Sequence, residues 1–117
     1  LAVGEENVWL SGEPYNPKAR VLIHGLNQGE VRDCSFDMLF NKNSIPEIPP
    51  GQVLVYLENI FGGMRPGGVF FSVNHESNVA DQVRVSEIMK SFPSMILRQR
   101  SLYWPRVGYV QEIWEKP

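Results

Sequence analysis

The sequence predicts an α/β fold: parallel strands in one sheet, helices packed across it, and an antiparallel hairpin at the C-terminus. Three observations lead there. Short β-branched, aliphatic or aromatic runs stand at 20–24, 36–40 and 69–73. Apolar residues repeat at three- and four-residue steps over 53–64 and again over 79–92, which is the period of a helix. Two final strand-like runs, 95–103 and 107–114, are parted only by Trp104-Pro105-Arg106. A crossover helix returns the chain to the same edge of a sheet, so strands separated by helices run parallel. A two- or three-residue connection forces its strands antiparallel.

Residues 1–18, with Gly4, Gly12, Pro14 and Pro17, read as an irregular segment holding at most a short strand around Asn7 to Leu10, and residues 19–117 as a single unit. Arg20-Val21-Leu22-Ile23-His24, closed by Gly25, has the form of a buried strand. A polar loop containing Gly29 follows, then the second run, Phe36 to Phe40, which Asn41 ends. Past the Pro46, Pro49, Pro50, Gly51 cluster, Val53, Leu57, Ile60, Phe61 and Met64 share one face of a helix of about three turns. Gly62 and Gly63 are expected to end that helix by taking the left-handed conformation. Pro66-Gly67-Gly68 then predicts a tight turn, and 69–73 a strand apolar on both faces, hence interior to a covered sheet. Ser77 or Asn78 is placed to cap a second helix, with Asp81 in its first turn and Val79, Val83, Ile88, Met89 and Phe92 as its apolar stripe. Phe92-Pro93 stops it.

Length and charge limit what such a unit does. A chain of 117 residues buries one modest core. A net charge of −2, with a pI near 5.7, gives no footprint for nucleic acid or an anionic membrane. The single cysteine, Cys34, excludes an internal disulfide, no Cys/His set suits structural zinc, and no basic neighbour would activate it as a nucleophile, all of which fits a cytoplasmic setting. No apolar stretch approaches the ~20 residues that span a bilayer, and no signal-peptide pattern is present. The first residue is Leu1, so a processed product or a piece of a longer chain is expected.

In open sheets of this kind ligands gather beyond the carboxyl ends of the strands. Three polar tips stand there: His24-Gly25, Asn41-Lys42-Asn43-Ser44 and Asn74-His75-Glu76-Ser77. The strand opened by Phe36-Asp37, the loop and helix after it, the Met64-Arg65-Pro66-Gly67-Gly68 turn and the strand that follows resemble the second half of a class I S-adenosylmethionine-dependent methyltransferase. The hairpin at the C-terminus is similar to that family's antiparallel seventh strand, inserted between the fifth and sixth. Asn-Lys-Asn-Ser-Ile-Pro-Glu-Ile and the strand ending in Asn-His-Glu look most like sugar O-methyltransferases. The resemblance covers roughly residues 19–114 and implies a partial Rossmann-like methyltransferase sheet. Its departure is as informative: no G-x-G turn precedes the visible strands, so either the cofactor-binding half lies elsewhere or the cofactor has been lost.

With S-adenosylmethionine as the implied cofactor, the resemblance puts Asn41 and Asn43 against its methionine part, largely through main-chain groups, and Asn27 near its adenine. Asparagine also suits turns for its own sake. The imidazole of His75 can accept the proton of an attacking sugar hydroxyl. Glu47 can hold that hydroxyl or act as the base itself. The plainer readings are a loop histidine making local hydrogen bonds and an exposed loop acid. Asp37 reads as a strand-start residue and His24 as a structural one. Trp9, Trp104 and Trp114 could stack on a sugar, although large aromatics are more often buried. No metal-ligand spacing is recognisable. The expected partner is a small molecule, and the unpaired edge of a partial sheet favours a homo-oligomer. The alternatives kept open are a non-catalytic Rossmann-like binding or scaffold module and, with less support, a fragment of a nucleotide-dependent oxidoreductase.

Overall fold

The computed structural model describes residues 4–10, 14, 16–18, 21–23, 36–76 and 82–117, with the backbone alone for 9, 10 and 21–23. Strands β1 (Val8–Leu10) and β2 (Val21–Ile23) pair in parallel as a small sheet of their own. The main sheet holds β3 (Phe36–Lys42), β4 (Met64–His75), β5 (Ile96–Leu102) and β6 (Tyr109–Glu115) in the order β3-β4-β6-β5. β3 and β4 are parallel, while β6 runs antiparallel to both of its neighbours.

The predicted class therefore holds, with one correction to its layout. Three parallel strands were expected side by side, but β2 pairs with β1 and not with β3 among the described residues. Two of the three polar tips remain neighbours, Asn41 to Ser44 and Asn74 to Glu76. The third, His24-Gly25, lies outside the described residues, as do Asn27, Cys34, Ser77, Asn78, Val79 and Asp81.

Helix α1 (Pro50–Gly63) begins three residues before the apolar stripe, because proline in the first turn has no N–H to leave unpaired. Its inner face is the predicted one except for Met64, which falls in β4: Val53, Leu57, Ile60 and Phe61 are buried and pack with Met64 and Phe70. Phe61 lies 5.5 Å from the Phe70 ring and meets Phe92 edge-on at 5.0 Å, a geometry that favours the ring quadrupoles. The helix ends at Gly63 as expected, but not by a left-handed glycine. Met64 turns the chain extended, and the Lys116 ammonium takes up the carbonyls of Phe61 (2.6 Å) and Met64 (2.7 Å). A cation at that end satisfies orphan carbonyls and complements the helix dipole. The left-handed residue is Gly67 instead, at φ 81°, inside the predicted Pro66-Gly67-Gly68 turn. There the turn becomes an irregularity within β4: Phe36 pairs with Met64 but Met38 with Val69.

The second helix is shorter than predicted. Arg84 is extended and only Val85–Ile88 forms α2, followed by a single 3₁₀ turn, Met89–Ser91. Arg84 approaches Glu76 at 4.0 Å and the Ser86 hydroxyl donates to the same carboxylate at 3.2 Å, so the end of β4 ties down the chain where a longer helix would start. The stripe itself survives: Ile88 and Met89 are buried, and Val83 and Phe92 pack against the core. The hairpin connection is also longer than a three-residue turn, running from Tyr103 to Gly108. Tyr103 N–H bonds the Tyr109 carbonyl, Arg106 N–H bonds the Tyr103 carbonyl, and Gly108 takes φ 81°.

These elements cover one face of the main sheet. On the other, Met38 and Phe40 are more than half exposed, with Phe71 5.4 Å from the Phe40 ring. Among the described residues no helix is long and apolar enough to cross a membrane.

Candidate functional site

The carboxyl ends of β3 and β4 are joined by side chains as well as by the ladder. Asn74, buried at the end of β4, donates to Asn41 Oδ1 (3.0 Å) and to Ser72 Oγ (2.8 Å), and its own Oδ1 accepts from the Ser44 amide (3.2 Å). Asn41 Nδ2 in turn donates to Ser44 Oγ at 2.7 Å. Every polar atom of the Asn74 amide is thus engaged, and the four residues fix the loop that leaves β3. Asn43 N–H bonds the Val73 carbonyl at 3.0 Å while Asn43 adopts φ 58°, a conformation asparagine tolerates better than other side chains.

Beyond that loop, Ile45–Glu47 forms a 3₁₀ turn whose Ile45 is fully buried in the core. The anchor holds Pro46 and Glu47 over the end of the sheet. On the opposite flank stands the hairpin. Register places Tyr109 directly across from His75, since an antiparallel strand begins where its neighbour ends. Tyr109 is buried, its hydroxyl donates to Asn43 Oδ1, and its ring meets His75 edge-on at 5.6 Å.

A cleft of about 360 Å³ opens between these parts. Asn43, Pro46 and Glu47 line it from the loop after β3, His75 and Tyr109 from the paired ends of β4 and β6, and Gln82, Arg106 and Val107 complete the lining. Its size suits a small molecule. The structure thus brings together three of the residues singled out in the sequence, His75, Glu47 and Asn43. Asn41 stays outside the cleft, its side chain committed to Ser44 and Asn74. Asn27 lies outside the described residues. Tyr109, Arg106 and Gln82 were not singled out. Tyr109 was within reach of the sequence, because the start of an antiparallel strand must meet the carboxyl end of its parallel neighbour. Gln82 was not, because the predicted helix put it on a helical face.

Behind the cleft lies a charged network. Arg100 bridges Glu76 (2.9 Å) and the buried Glu112, and Trp114 Nε1 donates to Glu112 at 3.3 Å. Burial works against the charge on Arg100, but the hydrogen bond to Glu76 and the charge of Glu112 outweigh it and raise its pKa. The network locks α2, β4, β5 and β6 to one another and uses up Glu76. Asp37 pairs with Arg65 at 3.3 Å on the surface, far from the strand ends, as a strand-start residue would. Trp104 is 90% exposed on the hairpin tip, whereas Trp114 is half-buried against Glu112. Among the described residues no group of three or more His, Cys, Asp or Glu is placed to hold a metal ion.

No protein-family model and no curated protein matches this sequence. Solved structures do. An O-methyltransferase family protein from Burkholderia thailandensis aligns with a TM-score of 0.64 at 8% identity, over 85% of this chain and 36% of its own. The PH0226 protein from Pyrococcus horikoshii OT3 aligns at 0.66 and 11% identity, over 86% of this chain and 61% of its own. The N-methyltransferase NodS from Bradyrhizobium japonicum WM9, in complex with S-adenosyl-L-homocysteine, aligns at 0.61 and 9% identity, over 82% and 55%. The fold is the Rossmann-like methyltransferase sheet, in part. The chain spans between about a third and three fifths of the length of these structures.

Proposed function

We propose that this chain is the acceptor-side part of an S-adenosylmethionine-dependent methyltransferase that methylates a hydroxyl of a small, sugar-like substrate. The observation that carries the reading is β6, threaded antiparallel between β4 and β5 so that its first residue, Tyr109, closes a polar cleft over the parallel strand ends. Structural neighbours that are methyltransferases, one of them holding S-adenosyl-L-homocysteine, support it.

The fit to the cofactor is partial. The Asn43–Ser44 turn is held in one conformation by Val73 and Asn74, which suits the methionine end of S-adenosylmethionine. Glu76, the carboxylate at the end of β4, is taken up by Ser86 and Arg100 and is not available to a ribose. When bound, the cofactor supplies an electrophilic methyl group. The chain's own residues supply the rest: Glu47 or His75 accepts the hydroxyl proton, Asn43 and Tyr109, joined by their hydrogen bond, fix the shape of the cleft, and the hairpin shields the site from water. Orienting the hydroxyl along the line of displacement carries most of the rate. A second reading, a non-catalytic scaffold, is favoured by the bare apolar sheet face around Met38 and Phe40.

Titration of ¹⁵N-labelled chain with S-adenosyl-L-homocysteine separates the two. Shifts confined to the Asn41, Asn43 and Ser44 amides are expected, with affinity on the order of millimolar because a chain spanning a third to three fifths of such structures offers only part of their contacts. No shift at those amides at saturating ligand would leave the scaffold reading in place.

A further inference from the structure

Among the described residues, every arginine but one has a carboxylate within 4.0 Å: Arg65 with Asp37, Arg84 with Glu76, Arg98 with Glu115, and Arg100 with Glu76 and Glu112. The exception is Arg106, and it lines the cleft. Its guanidinium stacks over the Tyr109 ring, 4.3 Å from the centroid, and the ring is itself pinned by the hydrogen bond to Asn43. The backbone is equally fixed, since Arg106 N–H bonds the Tyr103 carbonyl and its own carbonyl accepts from Tyr109 N–H. A stacked guanidinium turns its N–H edge outward in a plane, the geometry that grips an oxyanion through two parallel hydrogen bonds.

We propose that the cleft takes a hydroxylated monocarboxylate, with Arg106 reading the carboxylate and the hydroxyl lying toward Glu47 and His75. The inference rests on the reading of this cleft as the acceptor pocket. Charge decides for a carboxylate over a phosphate. Arg106 offers one positive charge, Glu47 lines the same cleft, and a phosphate monoester carrying nearly two negative charges would share it with that acid, with no second arginine or lysine among the lining residues. A monocarboxylate balances Arg106 and leaves the acid free for the hydroxyl. A neutral polyol would leave the arginine with water alone, which costs no affinity but earns no selectivity.

The test follows the backbone amides of Asn43, His75 and Tyr109, which line the cleft in parent and variants alike, and in the parent the Arg106 Nε–Hε resonance as well, in the whole chain at constant ionic strength while D-glucuronate, D-glucose, acetate or D-glucose 6-phosphate is added. Glucuronate is expected to bind roughly tenfold more tightly than glucose or acetate, the advantage of one charge-assisted pair joined to the hydroxyl contacts. Arg106→Gln should erase the preference of glucuronate over glucose, and Arg106→Lys should keep part of it, since a point charge replaces the planar fork. Amide dispersion like that of the parent shows that the variants are folded. Equal binding of glucose and glucuronate, tightest binding of the phosphate, or a preference unchanged in Arg106→Gln would overturn the proposal. None of these results depends on the S-adenosyl-L-homocysteine titration. Glucuronate binding without cofactor shifts would keep the carboxylate pocket and remove methyl transfer.

Discussion

Asn74 illustrates how one buried amide sets the geometry of a site it does not line. It spends two N–H donors on Asn41 and Ser72 and its oxygen on the Ser44 amide. Asn74→Ala should cost about 2 kcal/mol in urea unfolding, because it removes three bonds and leaves buried partners unpaired. Asn74→Asp should cost at least as much at pH 7. An ionised carboxylate keeps the shape, but it cannot donate to Asn41 Oδ1 or Ser72 Oγ. Burial and the loss of donors would raise the pKa of the introduced carboxyl in the folded state. A group raised in this way binds its proton more tightly when folded, so the deficit should shrink as pH falls through that raised pKa. A deficit independent of pH would mean that the donors do not matter. The strand-end asparagines were legible as polar tips because parallel strands present their carboxyl ends together. Their division of labour was not: which one faces the cleft and which one supports it depends on the face of β3 each occupies, and Asn41 shares a face with Ser72 through the ladder.

At the scale of elements, what could be read locally was read well. The stripe of α1 followed from the three- and four-residue repeat, its end from Gly62-Gly63, and the antiparallel hairpin from the brevity of its connection. The errors share a cause, contacts distant in sequence. Lys116 caps α1 from across the sheet, and Glu76 draws in the residues before α2. The Pro66–Gly68 segment shows both kinds of information at once. Gly67 at φ 81° faces open space, so Gly67→Ala should cost only the left-handed strain, about 1–2 kcal/mol. A Cβ on Gly68 would stand 2.5 Å from Met64 Cγ and 2.8 Å from the Arg65 carbonyl oxygen. The methionine can move, but the backbone oxygen cannot without disturbing the pairing with Lys116, whose amide donates to the Gly68 carbonyl. Gly68→Ala should therefore lower the melting temperature more than Gly67→Ala. The reverse order would show that positive φ, rather than crowding, governs this turn.

For the molecule as a whole, the decisive asymmetry is between the two faces of the main sheet. Helix α1, the Ile45 turn and α2 bury one face, where Leu39 and Phe70 sit in register beneath them. On the other, Met38 is 57% and Phe40 55% exposed, and the outer edge of β3 has no strand beside it among the described residues. An apolar face next to an unpaired edge favours association, because pairing satisfies the edge's free N–H and C=O groups while burying the side chains. Sedimentation velocity over rising concentration should show this chain self-associating. Phe40→Glu should shift it toward monomer with little loss of stability. The position is already half in water, so an introduced carboxylate there keeps its solvation, whereas in a dimer it would be buried without a partner. Association left unchanged by Phe40→Glu would locate the contact elsewhere, with the hairpin tip, where Trp104 and Val107 are 90% and 99% exposed, as the next surface to alter.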